Sequence, residues 1–230
     1  MALVTMRVSM PDRPGMLAAV AAAVSTRGGD IVTIDVVYRA DGLVVDDLCL
    51  DTGAVSPPAV RRELEAVPGV VVEMVRSVDE PTSAVDALEL AADLAYGNGD
   101  GVRRLVDGLP RALHAEWAMA LSQEEGAVTL MAASAGAPAP PNEPVPWLPL
   151  ASPRRLATAP WMPTSWRLRA TMGGLEVAAS PLGRPQAAVA VARRGGRFRP
   201  PELRQIEILS SLAVRAWPAH RAWEASEAPG

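Results

Sequence analysis

The chain has 230 residues, 49% of them hydrophobic, with 22 basic and 26 acidic side chains and a net charge of −4. That length supports one or two domains, each with its own core, and the acidic balance excludes the basic stripe that a nucleic-acid surface needs. All 22 basic residues are arginine, so no lysine is available for a P-loop or a Schiff base.

In chain order, Val4, Met6, Val8 and Met10 alternate with Thr5, Arg7 and Ser9, which predicts a half-buried strand. Residues 11–17 follow as Pro-Asp-Arg-Pro-Gly-Met-Leu. Leu17, Val20, Ala21 and Val24 then recur at helical spacing. Pro14 suits the first turn of a helix, where its missing N–H costs nothing, and Gly15 permits close approach of a ligand to the backbone. Free N–H groups at a helix start attract a carboxylate, and Asp12 beside them is an acceptor for an ammonium group. Together these are an amino-acid site in outline. A plainer reading stands next to it, in which Asp12 caps the helix and Asp30 caps a turn.

Arg27-Gly28-Gly29 closes the helix. Val32, Ile34, Val36 and Tyr38 alternate along a second strand, Asp41-Gly42 marks a hairpin, and Leu43 to Leu50 returns as a third strand. Pro57-Pro58 opens a short helix carrying Val60, Leu64 and Val67, and Val70 to Val75 makes a fourth strand. The order is β-α-β-β-α-β, the ferredoxin-like unit. Cys49, the single cysteine, reads as a small buried hydrophobe that forms no intramolecular disulfide. Asp46 and Asp47 point to opposite faces of their strand and so cannot share a metal ion; solvated acids on an edge strand are expected.

Over residues 3 to 78, with Asp12-Arg13-Pro14-Gly15-Met16-Leu17 and Gly29-Asp30-Ile31 as its motifs, the chain resembles an ACT domain. The resemblance implies an amino-acid ligand bound at a homodimer interface, and regulation of an attached or separate partner. It implies that Asp12 and Asp30 contact the ligand's amine, and that the backbone of Gly15, Met16 and Leu17 faces its carboxylate. Arg13, Pro14 and Ile31 complete the expected amino-acid-binding set. ACT sites often carry an amide where this chain has Asp at both positions, and two carboxylates favour a cationic group. Met10 is expected to face the ligand, which points to a small or apolar ligand side chain.

Asp79-Glu80-Pro81-Thr82-Ser83 is the expected domain boundary, giving residues 1–78, a linker 79–84, a second domain 85–220 and a polar tail 221–230. Ser83 and Asp86 read as a capping pair for a helix carrying Val85, Leu88, Ala92 and Ala95. A second helix carries Val102, Leu105, Val106 and Leu109, and strands are expected at 116–122 and 127–134. Residues 135–165 hold nine prolines, a density that excludes regular helix or central strand, together with Trp147 and Trp161; Trp166 follows. The tryptophans predict a long ordered or half-ordered lid on the sheet; the alternatives are a mobile insertion whose tryptophans merely cover the core and an aromatic-lined pocket. Strands at 175–180 and 186–192 and a helix from Pro200 close the chain.

Phe198, Pro201, Glu202, Leu203, Leu209, Leu212 and Ala213, with the strand from Glu116 to Leu121, are similar to the elements of a GAF domain over residues 85 to 217. The resemblance implies an antiparallel sheet flanked by helices, and no ligand residues carry over. The expected fold class is therefore α+β: a ferredoxin-like βαββαβ ACT domain plus a GAF-like sheet.

No catalytic constellation is legible. His114 lies at a helix end, where a cap or surface role is expected, and His220 lies in the polar tail. Neither histidine has metal-ligand spacing, and Cys49 lacks a nucleophile motif. No enzyme activity, metal or cofactor is expected. The start lacks a charged leader and an apolar run, and no stretch of 18 apolar residues exists, so cytoplasmic residence without a membrane segment is expected. The function expected is a non-catalytic amino-acid sensor that signals to a separate effector protein. A ligand-free dimerisation scaffold, or a regulatory subunit of an amino-acid biosynthetic enzyme, are the alternatives.

Overall fold

In the computed structural model, residues 3–156, 162–163, 166 and 174–215 are described, and they divide into two compact units, Met1–Val85 and Asp86–Gly230. The first unit runs β1 (Leu3–Pro11), α1 (Met16–Thr26), β2 (Asp30–Ala40), β3 (Leu43–Asp51), α2 (Pro57–Ala66) and β4 (Val71–Val78). Its antiparallel pairings give the strand order β2-β3-β1-β4, the ferredoxin-like sheet expected. The β2–β3 hairpin turns on Asp41 and Gly42, both at positive φ (54° and 74°), the geometry of a tight hairpin turn.

Period-2 alternation sorts the sheet into two faces. Val4, Met6, Val8 and Met10 of β1, Leu48 and Leu50 of β3, and Val72 pack under Val20 and Val24 of α1 and Val60 and Leu64 of α2. The buried stripe of α1 is Met16, Val20 and Val24, one residue off the expected phase, and Leu17 points outward. Met10 is a core residue rather than a ligand-facing one: it is buried in this cluster, because its parity on β1 matches that of Val8.

On the opposite face, Arg7 forms a buried two-pronged pair with Asp47, Nε to Oδ1 at 2.8 Å and Nη2 to Oδ2 at 2.7 Å. The expectation of solvated edge acids is thereby overturned. β3 is an interior strand, and both Asp46 and Asp47 are buried. The segment after β4 belongs to this unit. Thr82 Oγ1 lies 2.7 Å from Thr5 Oγ1, the Thr82 carbonyl accepts from Thr33 Oγ1 at 2.7 Å, and Ala84 N–H donates to Asp35 at 2.9 Å.

The second unit runs α3 (Val85–Tyr96), α4 (Gly101–Ala112), β5 (Trp117–Glu124), β6 (Ala127–Ala133), β7 (Arg154–Leu156), β8 (Leu175–Leu182), β9 (Arg184–Arg194) and α5 (Pro200–Arg215). Its five strands form an antiparallel sheet in the order β6-β5-β9-β8-β7. This is the antiparallel sheet flanked by helices that the GAF resemblance implies. One face, with Ala118, Ala120, Val189 and Val191, packs against Leu105 and Leu109 of α4 and Ile206 and Leu209 of α5.

The other face carries Trp117, Met119, Leu121 and Val177. It is covered by the proline-rich segment through Val145, Trp147, Leu148, Leu150, Met162 and Trp166. The Trp117 and Trp166 rings meet with centroids 4.8 Å apart and planes tilted by 57°. The segment answers its own donors, backbone and side chain, irregularly, as proline-rich chain must. Val145 N–H reaches Gln123 Oε1 at 2.7 Å, Leu150 N–H reaches the Pro185 carbonyl at 2.7 Å, and Trp166 Nε1 donates to the Ala139 carbonyl at 3.2 Å. Three of its residues, Arg154–Leu156, pair with β8 as the short edge strand β7.

Asp86 accepts from Arg111 Nε at 2.7 Å, and Ser83 Oγ accepts from Val85 N–H at 3.3 Å at the start of α3. The cap that the sequence reading missed is Asp100, whose carboxylate accepts from Val102 and Arg103 N–H at the start of α4. His114 follows α4 at φ 51° and is buried, not on the surface. Trp161 and His220 lie outside the described residues.

Candidate functional site

The expected site residues fall into two groups. Asp12, Arg13, Pro14, Gly15, Met16 and Leu17 wrap the turn from β1 into α1. The turn is held by Asp12 N–H on the Gly42 carbonyl at 2.8 Å and by Arg13 N–H on the Pro11 carbonyl at 2.9 Å. Gly15 is the N-cap at φ 89°, a conformation that favours glycine, and no side chain caps the helix. The first N–H to return to the chain in helical fashion is that of Ala19, on the Gly15 carbonyl at 3.0 Å. The backbone N–H groups of Leu17 and Ala18 therefore stay open at an exposed helix start, where partial positive charge collects. The reading of Asp12 as a helix cap falls with this geometry.

Asp12 instead meets Arg39 of β2, with Nε 2.8 Å from Oδ2. The hydrogen bond and charge of Asp12 raise the pKa of the Arg39 guanidinium. Arg39 was not anticipated as a site residue. Arg13 lies along the helix start, its Nε 3.3 Å from Met16 Sδ, and Pro14 is exposed. Met16 is buried in the core and Leu17 is 44% exposed, so Leu17 is the apolar side chain that this turn shows to solvent.

Asp30 and Ile31 form the second group, at the far end of the sheet. Asp30 pairs with Asp51 of β3, whereas the end of β1 pairs with Leu43. Eight strand residues at about 3.3 Å each separate these positions, roughly 26 Å. One chain therefore does not bring Asp30 to Asp12. Asp30 Oδ1 accepts from Ile31 N–H at 2.9 Å, and Ile31 packs against the helix-covered core.

The strand between them, β2, is the outer strand of the sheet. It shows Val32, Ile34 and Val36 to solvent and is bulged at two places, between Ile31 and Thr33 and between Val36 and Tyr38. Next to the second bulge, opposite Val36, lies Asp46 of β3, on the helix-covered face and 3% exposed. Burial first and the neighbouring Asp47 second push its carboxyl up to about 6. Among the described residues no group of three or more His, Cys, Asp or Glu is placed to hold a metal, and no helix is long and apolar enough to cross a membrane.

Residues 4–69 match the family model of the ACT domain. The N-terminal unit is an ACT domain, and its turn, open helix start and outer strand belong to that unit. Among solved structures, the ACT domain from GTP pyrophosphokinase of Chlorobium tepidum is similar in two determinations. The solution structure is 21% identical, with 35% of this chain and 90% of that chain covered and a TM-score of 0.27. The crystal structure is 21% identical, with 34% and 100% covered and a TM-score of 0.27. The chromophore-binding domain of an unusual bacteriophytochrome from R. palustris is 11% identical, with 98% and 95% covered and a TM-score of 0.42. No curated protein matches the chain.

Proposed function

We propose that this protein is a non-catalytic, cytoplasmic amino-acid sensor whose ACT unit binds one small amino acid per protomer at a homodimer interface and regulates a separate partner protein. The observation that carries the reading is the open start of α1, with the Leu17 and Ala18 N–H groups uncapped beside the Asp12 carboxylate. An α-carboxylate fits the first and an α-ammonium the second. Binding then exchanges Arg39 for the ligand's ammonium on Asp12.

The position of Asp30 supports the second copy. β2 is an outer strand, and two copies that pair antiparallel through it set the start of one β2 beside the end of the other. Asp30 of the second copy then arrives near Arg39 and Asp12 of the first. A ligand that prefers this dimer arrangement shifts the population toward it, which is the signal a partner reads. The free and buried Cys49 fits a reducing compartment.

The test is a thermal-shift and calorimetry panel of the twenty amino acids on the wild-type chain and on Asp12→Ala. A ligand at 100 times its Kd adds about 2.7 kcal/mol, a rise of about 5–10 °C for a chain of this size. The expected result is a selective shift in the wild type that Asp12→Ala loses. Unchanged affinity in the variant overturns the site. A flat panel with a dimer seen by light scattering favours the ligand-free scaffold, which the apolar outer strand also fits. Co-elution with a catalytic chain favours the regulatory-subunit reading.

A further inference from the structure

Asp46 has no structural employment. It shares the helix-covered face of the sheet with Val8, Met10, Leu48 and Leu50, and the positions directly opposite it, Val8 and Val36, are apolar. Its Oδ1 is sealed from solvent and meets no hydrogen-bond partner among the described residues. A buried carboxyl without a partner carries a desolvation cost of several kcal/mol in order of magnitude, and so is rarely left unanswered. The nearby cations are engaged elsewhere. Arg39 holds Asp12, and Arg7 holds Asp47 on the other face. The start of α1 takes no side-chain cap.

Its position is informative. The row of pairs Met10–Val44–Arg39 lies one step along the same face from the row Val8–Asp46–Val36. Two residues of strand, about 7 Å, therefore separate the row of Asp46 from the row of Arg39, and Asp12 follows two residues beyond Met10. In front of Asp46 the outer strand is bulged, and Val36 is 65% exposed. Bulges of this kind re-aim side chains beside binding sites. Asp46 thus lies on the helix-covered face beside the bulged edge of β2, one row inward from Arg39.

We propose that Asp46 is a specificity residue of the amino-acid site, accepting a hydrogen bond from an O–H or N–H donor on the ligand's side chain. This rests on the amino-acid-binding reading above. It reverses the apolar preference that Met10 suggested from sequence, since Met10 is packed into the core. The ligand class is an amino acid with a hydroxyl, amide or cationic side chain. The charge of a carboxylate makes such a bond stronger than a neutral one, and a site built to accept a donor rejects the isostere that lacks it.

The experiment measures binding of isosteric pairs by calorimetry: serine against alanine, threonine against valine, glutamine against methionine, lysine against norleucine. The proteins are the wild type, Asp46→Leu, Asp46→Asn and Asp12→Ala. In the wild type the donor-bearing member of the preferred pair is expected to bind at least tenfold tighter. Asp46→Leu is expected to abolish or invert that preference while still binding an amino acid. It should fold, because leucine matches the neighbouring Leu48 and Leu50; if its melt shows that it does not, Asp46→Asn must show at least a tenfold weaker preferred ligand. A wild type and Asp46→Leu with the same selectivity, both sensitive to Asp12→Ala, overturn the role of Asp46 and leave the site standing; that is also the outcome if Asp46 merely holds a buried water. A wild type that binds none of the panel overturns both.

Discussion

At the scale of single residues, the carboxylates of the ACT unit differ by what faces each of them. Asp47 is buried against a guanidinium, Asp12 shares an exposed arginine, and Asp46 is buried with nothing opposite its Oδ1 among the described residues. The consequence for stability has a definite sign. A carboxyl raised from 3.8 to about 6 in the folded chain binds its proton more tightly there than in the unfolded chain. Its contribution to stability is greatest below about pH 4, falls as pH rises toward about 6, and is level above. Two pH units at about 1.36 kcal/mol each set the scale, on the order of 3 kcal/mol. Asp46→Asn removes this dependence. The difference in melting temperature between Asp46→Asn and the wild type should therefore grow in favour of the variant between pH 4 and 7. A constant difference across that window would mean that the carboxyl is not perturbed. The residue is instructive about sequence reading. Alternation with Leu48 and Leu50 already assigns position 46 to the core face, but a charge in a strand reads as a mark of solvent, and so of an edge strand.

At the scale of elements, α5 is fixed to the sheet through one buried arginine. All five N–H groups of Arg193 are answered. Nε donates to the Gly196 carbonyl at 2.9 Å, Nη1 to the Leu113 carbonyl at 3.0 Å and Glu202 Oε1 at 2.6 Å, and Nη2 to the Arg197 carbonyl at 2.9 Å and Glu202 Oε2 at 3.0 Å. The Phe198 ring lies 4.0 Å beneath the guanidinium, and Glu202 Oε2 also accepts from Arg199 N–H at the start of α5, half of a capping box. Removing one member leaves the other buried and uncompensated, a loss of about 3–5 kcal/mol. Arg193→Met should lower the urea midpoint markedly. Arg193→Lys should recover little, because an ammonium cannot make the two parallel bonds. Full rescue by lysine would reduce the cluster to a simple charge pair. Arg193 and Arg194 are adjacent in the sequence, yet Arg193 is buried while Arg194 lies near the surface against Glu116. Period-2 and period-3.6 patterns made the strands and helices legible. They carry no signal for a fork of donors spread over Leu113, Gly196, Arg197 and Glu202. The proline-rich segment was legible only in part: proline excluded regular structure, and its tryptophans predicted burial, but its short strand β7 depends on pairing with β8.

At the scale of the whole molecule, function in this reading depends on a second copy, because the two carboxylates of the expected site lie roughly 26 Å apart in one chain. The proposed two-fold pairing through β2 would bring them together, with the exposed Val32, Ile34 and Val36 at the junction. An edge strand is blocked from such pairing by a charge, lysine above all. Val32→Lys is the suitable variant. A lysine at position 36 would sit opposite Asp46 and pair with it, confusing two effects, whereas position 32 lies at the other bulge. Val32 is partly exposed, so the substitution should leave the fold intact, as a thermal melt of the ligand-free chain would verify. Light scattering should then give a monomer where the wild type gives a dimer. The thermal shift from the preferred amino acid should fall with it, since Asp30 of the second copy no longer reaches Asp12. A variant that stays dimeric would move the interface away from β2. A monomer that still binds its amino acid with wild-type affinity would show that the turn, the open start of α1 and Asp12 suffice within one chain, and that Asp30 has no part in the site.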